Sequence, residues 1–347
     1  MRYYRLVVQD PKTGNVIAPP GFSADLLGGA TYTSFVNGKT LAAAWNVELD
    51  IPVIDAATSQ GFSLARVWGI SNQEIAQAND LSNKNIAIYG GMQAGLPLAN
   101  PAQAGLLVSG NVFQCFGNNI GKDRTLDFVI SPGPAMGSNP GGTGTVKAPR
   151  NFTLNWPAGT PLASALQTCL QTAFPGYTVP TPQISSSIVR QNLEVHVVPT
   201  LEQLAQYCRQ TSLDIVKTSG YQGVSIVVNG TTINVFDGSS TSSSSSKSTA
   251  IAFQDLIGQP TWIESPNIQI KTVMRADLSV GSQFTLPQTL ITNSSQANSS
   301  LVNQQATFQG GFSVINMRHV GNFRQPDAAS WVTVIEGAPN KPVSATT

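Results

Sequence analysis

Charge is scarce in this chain. Only 11% of its 347 residues are Asp, Glu, Lys or Arg, and 19 Lys+Arg against 18 Asp+Glu leave a net charge of +1. Such a balance gives no long-range pull on nucleic acid, which needs clustered Lys and Arg, so sequence-specific nucleic-acid binding is not expected. No apolar run approaches the roughly 20 residues that cross a bilayer as a helix, and membrane insertion is not expected either. In the opening MRYYRLVVQDPKTG, Leu6-Val7-Val8 is too short for the apolar region of a signal peptide and reads as a first strand. The chain is therefore expected to fold in the cytoplasm. Cys115, Cys169 and Cys208 are odd in number and form no CxxC pair, which argues against a disulfide frame or a zinc cluster and for reduced core residues. Histidine occurs twice, and HxxxH, HxH and GxSxG are all missing. The usual starting points for a metal site or a hydrolytic triad are thus lacking.

What the chain does have is apolar residues, 41% of the total, enough for more than one core. Residues 1–148 read as mainly β. In WNVELDIPV, Val47, Leu49 and Ile51 alternate with Asn46, Glu48 and Asp50, the period of a half-buried strand. FSLARVWGI, IAIYGG, GLLVSGNVFQCFG and TLDFVI follow between Gly, Pro and Asn clusters, a pattern of small barrels and sandwiches. Ser71 with Glu74 three residues on predicts a capping box on one short helix. SPGPAMGSNPGGTGTVKAP then has linker composition; it lacks the Gly-Lys-Ser/Thr of a phosphate loop and opens no helix.

Residues 149–238 read as a compact α+β unit. Thr160-Pro161 predicts a helix start, and Leu162, Ala165, Leu166, Cys169, Leu170 and Ala173 keep helical spacing until Pro175-Gly176. A second helix is expected after a Thr200 cap with Gln203 at the reciprocal position, its stripe formed by Leu201, Leu204, Ala205 and Cys208. Asn229-Gly230 predicts a two-residue type I′ hairpin. The serine tract over residues 239–248 reads as a loop or linker. Residues 249–347 return to β, with NIQIKTVMR, SQFTLP, GGFSVINMRHVG and SWVTVIEGA as strands and TNSSQANSSLVNQQAT as a polar hairpin loop.

Few residue patterns in the chain suggest chemistry. His196 alternates along LEVHVVP and His319 lies in INMRHVG, both placed as packed structural residues. Asp50 with Asp55, or Asp123 with Asp127, would serve a glycosidase if brought about 5 to 9 Å apart, but no aromatic-rich sugar cleft accompanies them. Trp45, Trp68, Trp156, Trp262 and Trp331 are scattered singly, as core or interface anchors are. No catalytic residue, cofactor-binding residue or metal ligand is assigned.

Taken in order, the segments resemble the baseplate hub proteins of contractile-tailed bacteriophages. GLLVSGNVFQCFGNNIGKDRTLDFVISPG is similar to the end of that family's first tube-type β-barrel, and the two-helix middle with its hairpin resembles the family's insert. The last segment carries the family's Ile-Gly-x-Pro entry at Ile257, Gly258 and Pro260 and its Leu-x-x-Gly turn at Leu278 and Gly281. A late His-x-Gly-Asp/Asn followed by Trp-x-Thr falls on His319, Gly321, Asn322, Trp331 and Thr333, with Asn322 where aspartate is common. The resemblance implies a mainly β fold, two tube-type barrels at residues 1–148 and 249–347 flanking the α+β insert. His319 to Asn322 would then end a strand, and Trp331 would anchor the strand that returns after Pro326.

By the same resemblance the chain would be no enzyme but a homotrimeric ring adapting a six-fold tail tube to a three-fold spike. Tape measure protein and DNA would pass through its channel, which near-zero charge keeps from gripping DNA. Implied partners are the tail tube or a tube initiator, the central spike, the tape measure and wedge proteins. Implied location is the virion tail baseplate, after synthesis and assembly in the host cytoplasm. A tail-associated cell-wall glycan hydrolase or a carbohydrate-binding β protein is the alternative.

Overall fold

The structure is a computed structural model and describes residues 1–57, 62–93, 100–133, 151–218, 221–238, 248–264, 267–287 and 311–339. The linker reading from residue 134 on, the serine tract over 239–247 and the polar loop over 292–307 fall outside the described residues.

The fold is mainly β. The first segment contributes β1 (Arg2–Gln9), β2 (Asn46–Val53), β3 (Ser63–Trp68), β4 (Asn85–Met92), β5 (Gly105–Ile120) and β6 (Asp123–Pro132), with the short helix α1 (Asn72–Ala76). The middle contributes β7 (Phe152–Trp156), α2 (Leu162–Ala173), β8 (Glu194–Val198), α3 (Leu201–Val216), β9 (Ser225–Asn229) and β10 (Thr232–Phe236). The last contributes β11 (Thr261–Glu264), β12 (Asn267–Val273), β13 (Gln283–Thr285), β14 (Gly311–Asn322) and β15 (Trp331–Pro339).

Strands of the first and last segments share a 13-stranded sheet whose main path is β11-β12-β15-β14-β2-β3-β6-β5-β4-β1, with Tyr32–Thr33 beyond β1. The join is antiparallel pairing of β14 with β2, from Met317 opposite Val53 to Asn322 opposite Glu48. Because side chains alternate across a strand, Val47, Leu49, Ile51 and Val53 all enter the core from β2. Among the described residues, apolar side chains gather in two clusters. One draws on both end segments, with Val227 added from the middle unit, and the other on residues 152–235, with Ala56 added from the first segment.

Two sets of polar contacts fasten the end segments beyond the sheet. Arg275, fully buried, binds Asp277 at 2.6 and 2.7 Å and Asp255 at 3.3 Å, while Gln103 Nε2 donates to Asp255 at 2.8 Å. Arg2 Nη1 and Nη2 donate to the carbonyls of Asn322 (2.8 Å), Phe323 (3.2 Å), Gln325 and Asp327, and Nη2 to Ser330 Oγ (3.0 Å). Four carbonyls and one hydroxyl of the 322–330 loop thus bind one guanidinium.

The helices follow their sequence periods. Leu162, Ala165, Leu166, Cys169, Leu170 and Ala173 are the buried face of α2. Its start differs from expectation, since Pro161 is the cap and Thr160 makes no side-chain cap; the Thr160 carbonyl instead accepts from Trp156 Nε1 at 2.7 Å. Thr200 Oγ1 caps α3 by accepting from Gln203 N at 3.2 Å, without the reciprocal Gln203 bond, and Leu201 is only half-buried. Ser71 and Glu74 close a complete capping box on α1. The β9–β10 hairpin turns one residue later than expected, because Asn229 pairs with Thr232 and leaves Gly230-Thr231 as the turn. Only Gly230 of these has positive φ (57°), so the turn is not type I′.

Candidate assembly surface

The His319 motif is built of cross-strand partners. In the β14–β15 register His319 lies opposite Thr333 and Gly321 opposite Trp331. His319 is 1% exposed, and its Nδ1 lies 2.9 Å from Thr333 Oγ1, which also accepts from the Arg275 amide at 3.0 Å. Burial lowers the imidazole from 6.5 to about 4, so it is neutral at pH 7 and far from the poise of a general base. Gly321 is required by its partner: a Cβ there would stand 2.7 Å from Trp331 Cζ3. Trp331 cannot give way easily, since its Nε1 donates to the Gly91 carbonyl at 2.9 Å.

The other sequence candidates are dispersed. His196 stacks on Tyr207 with centroids 4.1 Å apart, and Tyr207 donates its hydroxyl proton to Glu194. Asp50 takes two bonds of 2.6 Å from Arg318, whereas Asp55 accepts from the amides of Ala57 and Ile226. Asp123 and Asp127 sit four residues apart on β6, about 13 Å at strand rise and too far for paired acid work. The three cysteines are free and buried, and burial pushes the Cys169 thiol up to about 11 and the Cys115 thiol up to about 12. Among the described residues, no group of three or more His, Cys, Asp and Glu side chains is placed to hold a metal ion.

What the structure does assemble is a patterned outer face on β14, β2, β3, β6 and β5. Register lines up Asn322, Glu48, Arg66, Asp127 and Phe116 in one row across the five strands. Asn322 Nδ2 donates to Glu48 at 3.0 Å, Arg66 lies 3.9 Å from Glu48, and Arg66 Nε donates to Asp127. The next outward row is Val320, Asp50, Leu64, Val129 and Gln114. These rows floor a groove of about 540 Å³ walled by the 322–330 loop that Arg2 holds. Beyond it Phe62 and Phe113 stack with centroids 5.0 Å apart and remain 47% and 59% exposed, beside Leu64 at 47%.

A β-bulge produces the aromatic pair. The register of β5 against β6 shifts between Val112 and Gln114, which turns Phe113 outward. A sequence signal exists: Val112 and Cys115 are both buried yet three apart, a spacing strict alternation forbids. Contiguous apolar area rimmed by paired charges is the make-up of a protein contact surface, and every acid in the two rows is already engaged.

No protein-family profile and no curated protein sequence matches the chain. Among solved structures it is similar to the 43 kDa tail protein of prophage MuSo2 from Shewanella oneidensis, at 7% identity and TM-score 0.46 over 98% of each chain. It is also similar to a tail protein from Neisseria meningitidis MC58, at 10% identity and TM-score 0.42 over 97% of this chain and 96% of that one. A chain of the Francisella PdpA-VgrG complex matches at 7% identity and TM-score 0.43, over 99% of this chain and 59% of its own length.

Proposed function

We propose that the chain is a structural hub of a contractile-tail baseplate, without catalysis of its own. Residues 1–148 and 249–347 would form two tube-type barrels, and residues 149–238 an insert facing outward or toward the spike. The pairing of β14 with β2 carries this reading, because it fuses the strands of both end segments into one sheet within a single subunit. A subunit with two similar β bodies offers six of them when three copies close a ring, which fits a six-fold tube above and a three-fold spike below. The outer face with Phe62, Phe113 and the groove is then the surface laid against the neighbouring copy.

The remaining partners follow from that position: the tube or its initiator above, the spike below, wedge proteins outside, and tape measure protein and DNA through the centre. Location in the virion baseplate after cytoplasmic assembly goes with the same reading. Light scattering followed by negative-stain imaging tests it. A species of three times 36.6 kDa, about 110 kDa, with a central hole is expected. A protein that stays monomeric alone and with its spike and tube partners would overturn the reading.

A further inference from the structure

The two end segments repeat one topology. The first body runs β2-β3-β6-β5-β4-β1 across the sheet, and the last runs β11-β12-β15-β14-β13 and then Thr249–Ala250, so strands of the same rank in the chain hold the same place. The bodies differ at the first strand, which is antiparallel to β4 in one and parallel to β13 in the other. A bulge marks the same point in both: the fifth strand shifts register against the sixth between Val112 and Gln114, and again between Val314 and Asn316. Aligning the bulges lays residues 115–120 of β5 on residues 317–322 of β14.

Within the chain, residues 317–322 receive β2, the second strand of the first body. Their counterparts lack such a neighbour. β4 pairs with β5 only from Gly105 to Asn111, so beyond the bulge that side of β5 meets no strand among the described residues. β11, the second strand of the last body, ends the sheet path. We infer that these two edges are the halves of one contact: β11 of one copy pairs antiparallel with residues 115–120 of β5 in the next, repeating between chains the join that β14 and β2 make inside one. The inference rests on the proposed ring and names the strands that close it. Each copy offers one half at either end, so the contact is head-to-tail, the kind that closes rings.

The main chain of β5 is aimed for this pairing. Cys115 N donates to Ser82 Oγ at 3.1 Å and so points away from β6, and alternation turns the main-chain groups of Gly117 and Asn119 the same way. Neither makes a main-chain hydrogen bond on that side among the described residues. In the internal join the matching positions are used, since Phe323 N donates to the Val47 carbonyl at 2.9 Å, in step with the pairs Gly321–Leu49 and His319–Ile51. Open edges are ordinarily guarded by charge or proline, and the stretch QCFGNNI over residues 114–120 has neither.

The side chains fit as well. Followed outward from the bulges, the ladder β6-β3-β2 matches the ladder β15-β12-β11 with Asp50 on Thr261. Carrying over the β14–β2 register then sets Asn118 opposite Thr261 of the next copy and brings Phe116 beside its Ile263. Thr261 and Ile263 are exposed, Ile263 by 50%, while Trp262 between them packs on the core. β2 alternates in the same way, with Ile51 buried between Asp50 and Pro52.

Paired cysteines test the contact. Asn118→Cys with Thr261→Cys should join copies on mild oxidation, giving covalent dimer and trimer on denaturing gels without reductant, and neither single change should do so. Opposed residues of a non-hydrogen-bonded antiparallel pair have Cα atoms about 4.5 Å apart, within disulfide reach. Asp50→Cys with Val320→Cys, the matching pair inside the chain, should close within one copy and calibrates the oxidation. Light scattering on the same samples separates the two levels of the proposal. A trimer whose Asn118→Cys, Thr261→Cys form does not cross-link overturns the pairing and leaves the ring; a protein that stays monomeric alone and with its tail partners overturns both. Should the double variant fold poorly, Asn119→Pro removes one edge N–H and no bond to β6, and should raise the concentration of half-assembly at least ten-fold. An unchanged value would also overturn the pairing.

Discussion

Gly321 and Trp331 show how a single position is constrained by its neighbour across the strands. Adding one methyl to Gly321 drives it to 2.7 Å from the indole, so Gly321→Ala should lower stability by about 1–3 kcal/mol and shift Trp fluorescence, read in urea titrations. His319 makes stability depend on pH. Its native value of about 4 lies below the unfolded 6.5, so between them the unfolded chain binds a proton the native protein refuses. Stability is full above 6.5 and falls as the pH drops toward 4, by on the order of 3 kcal/mol in total. Urea midpoints at pH 7 and pH 5 should show the fall, and a His319→Gln variant should show a smaller one. The resemblance already placed these residues at a strand end as architecture. What the letters did not contain was the register that sets His319 against Thr333, because pairing depends on a bulge between Val314 and Asn316.

At the scale of elements, the legible parts were those fixed by local period. The face of α2 and the strand alternation of β2 follow from spacing alone. The α2 cap did not: Trp156, four residues earlier, binds the Thr160 carbonyl, and Pro161 takes the cap position. The Arg275 cluster was equally hidden: Gln103 and Asp255 are 152 residues apart, and no motif marks them. Removing the cation leaves the Asp255 carboxylate buried without a counter-charge, held by Gln103 Nε2 alone among the described residues. Arg275→Met should therefore cost about 3–5 kcal/mol, a large loss of Tm in calorimetry, and should loosen the 101–103 turn in hydrogen exchange.

For the whole molecule, the surface proposed for subunit contact is the one least visible in sequence, because Phe62 and Phe113 meet only through a bulge and a neighbouring strand. Both are exposed, so Phe62→Ser with Phe113→Ser should change monomer stability by no more than about 0.5 kcal/mol. The same pair of changes should cut the trimer fraction in light scattering; an intact trimer would place subunit contact elsewhere. The β14–β2 join has a further consequence, in time rather than space. β2 is translated near the beginning of the chain and its partner near the end, with Val53 and Met317 paired across 264 residues. At ribosomal speeds of about 5–20 residues per second, one side of β2 waits on the order of ten to fifty seconds with its backbone groups unpaired. During that interval the nascent sheet has an open edge on which another nascent chain could pair, and it closes only when the protein's own last strands arrive.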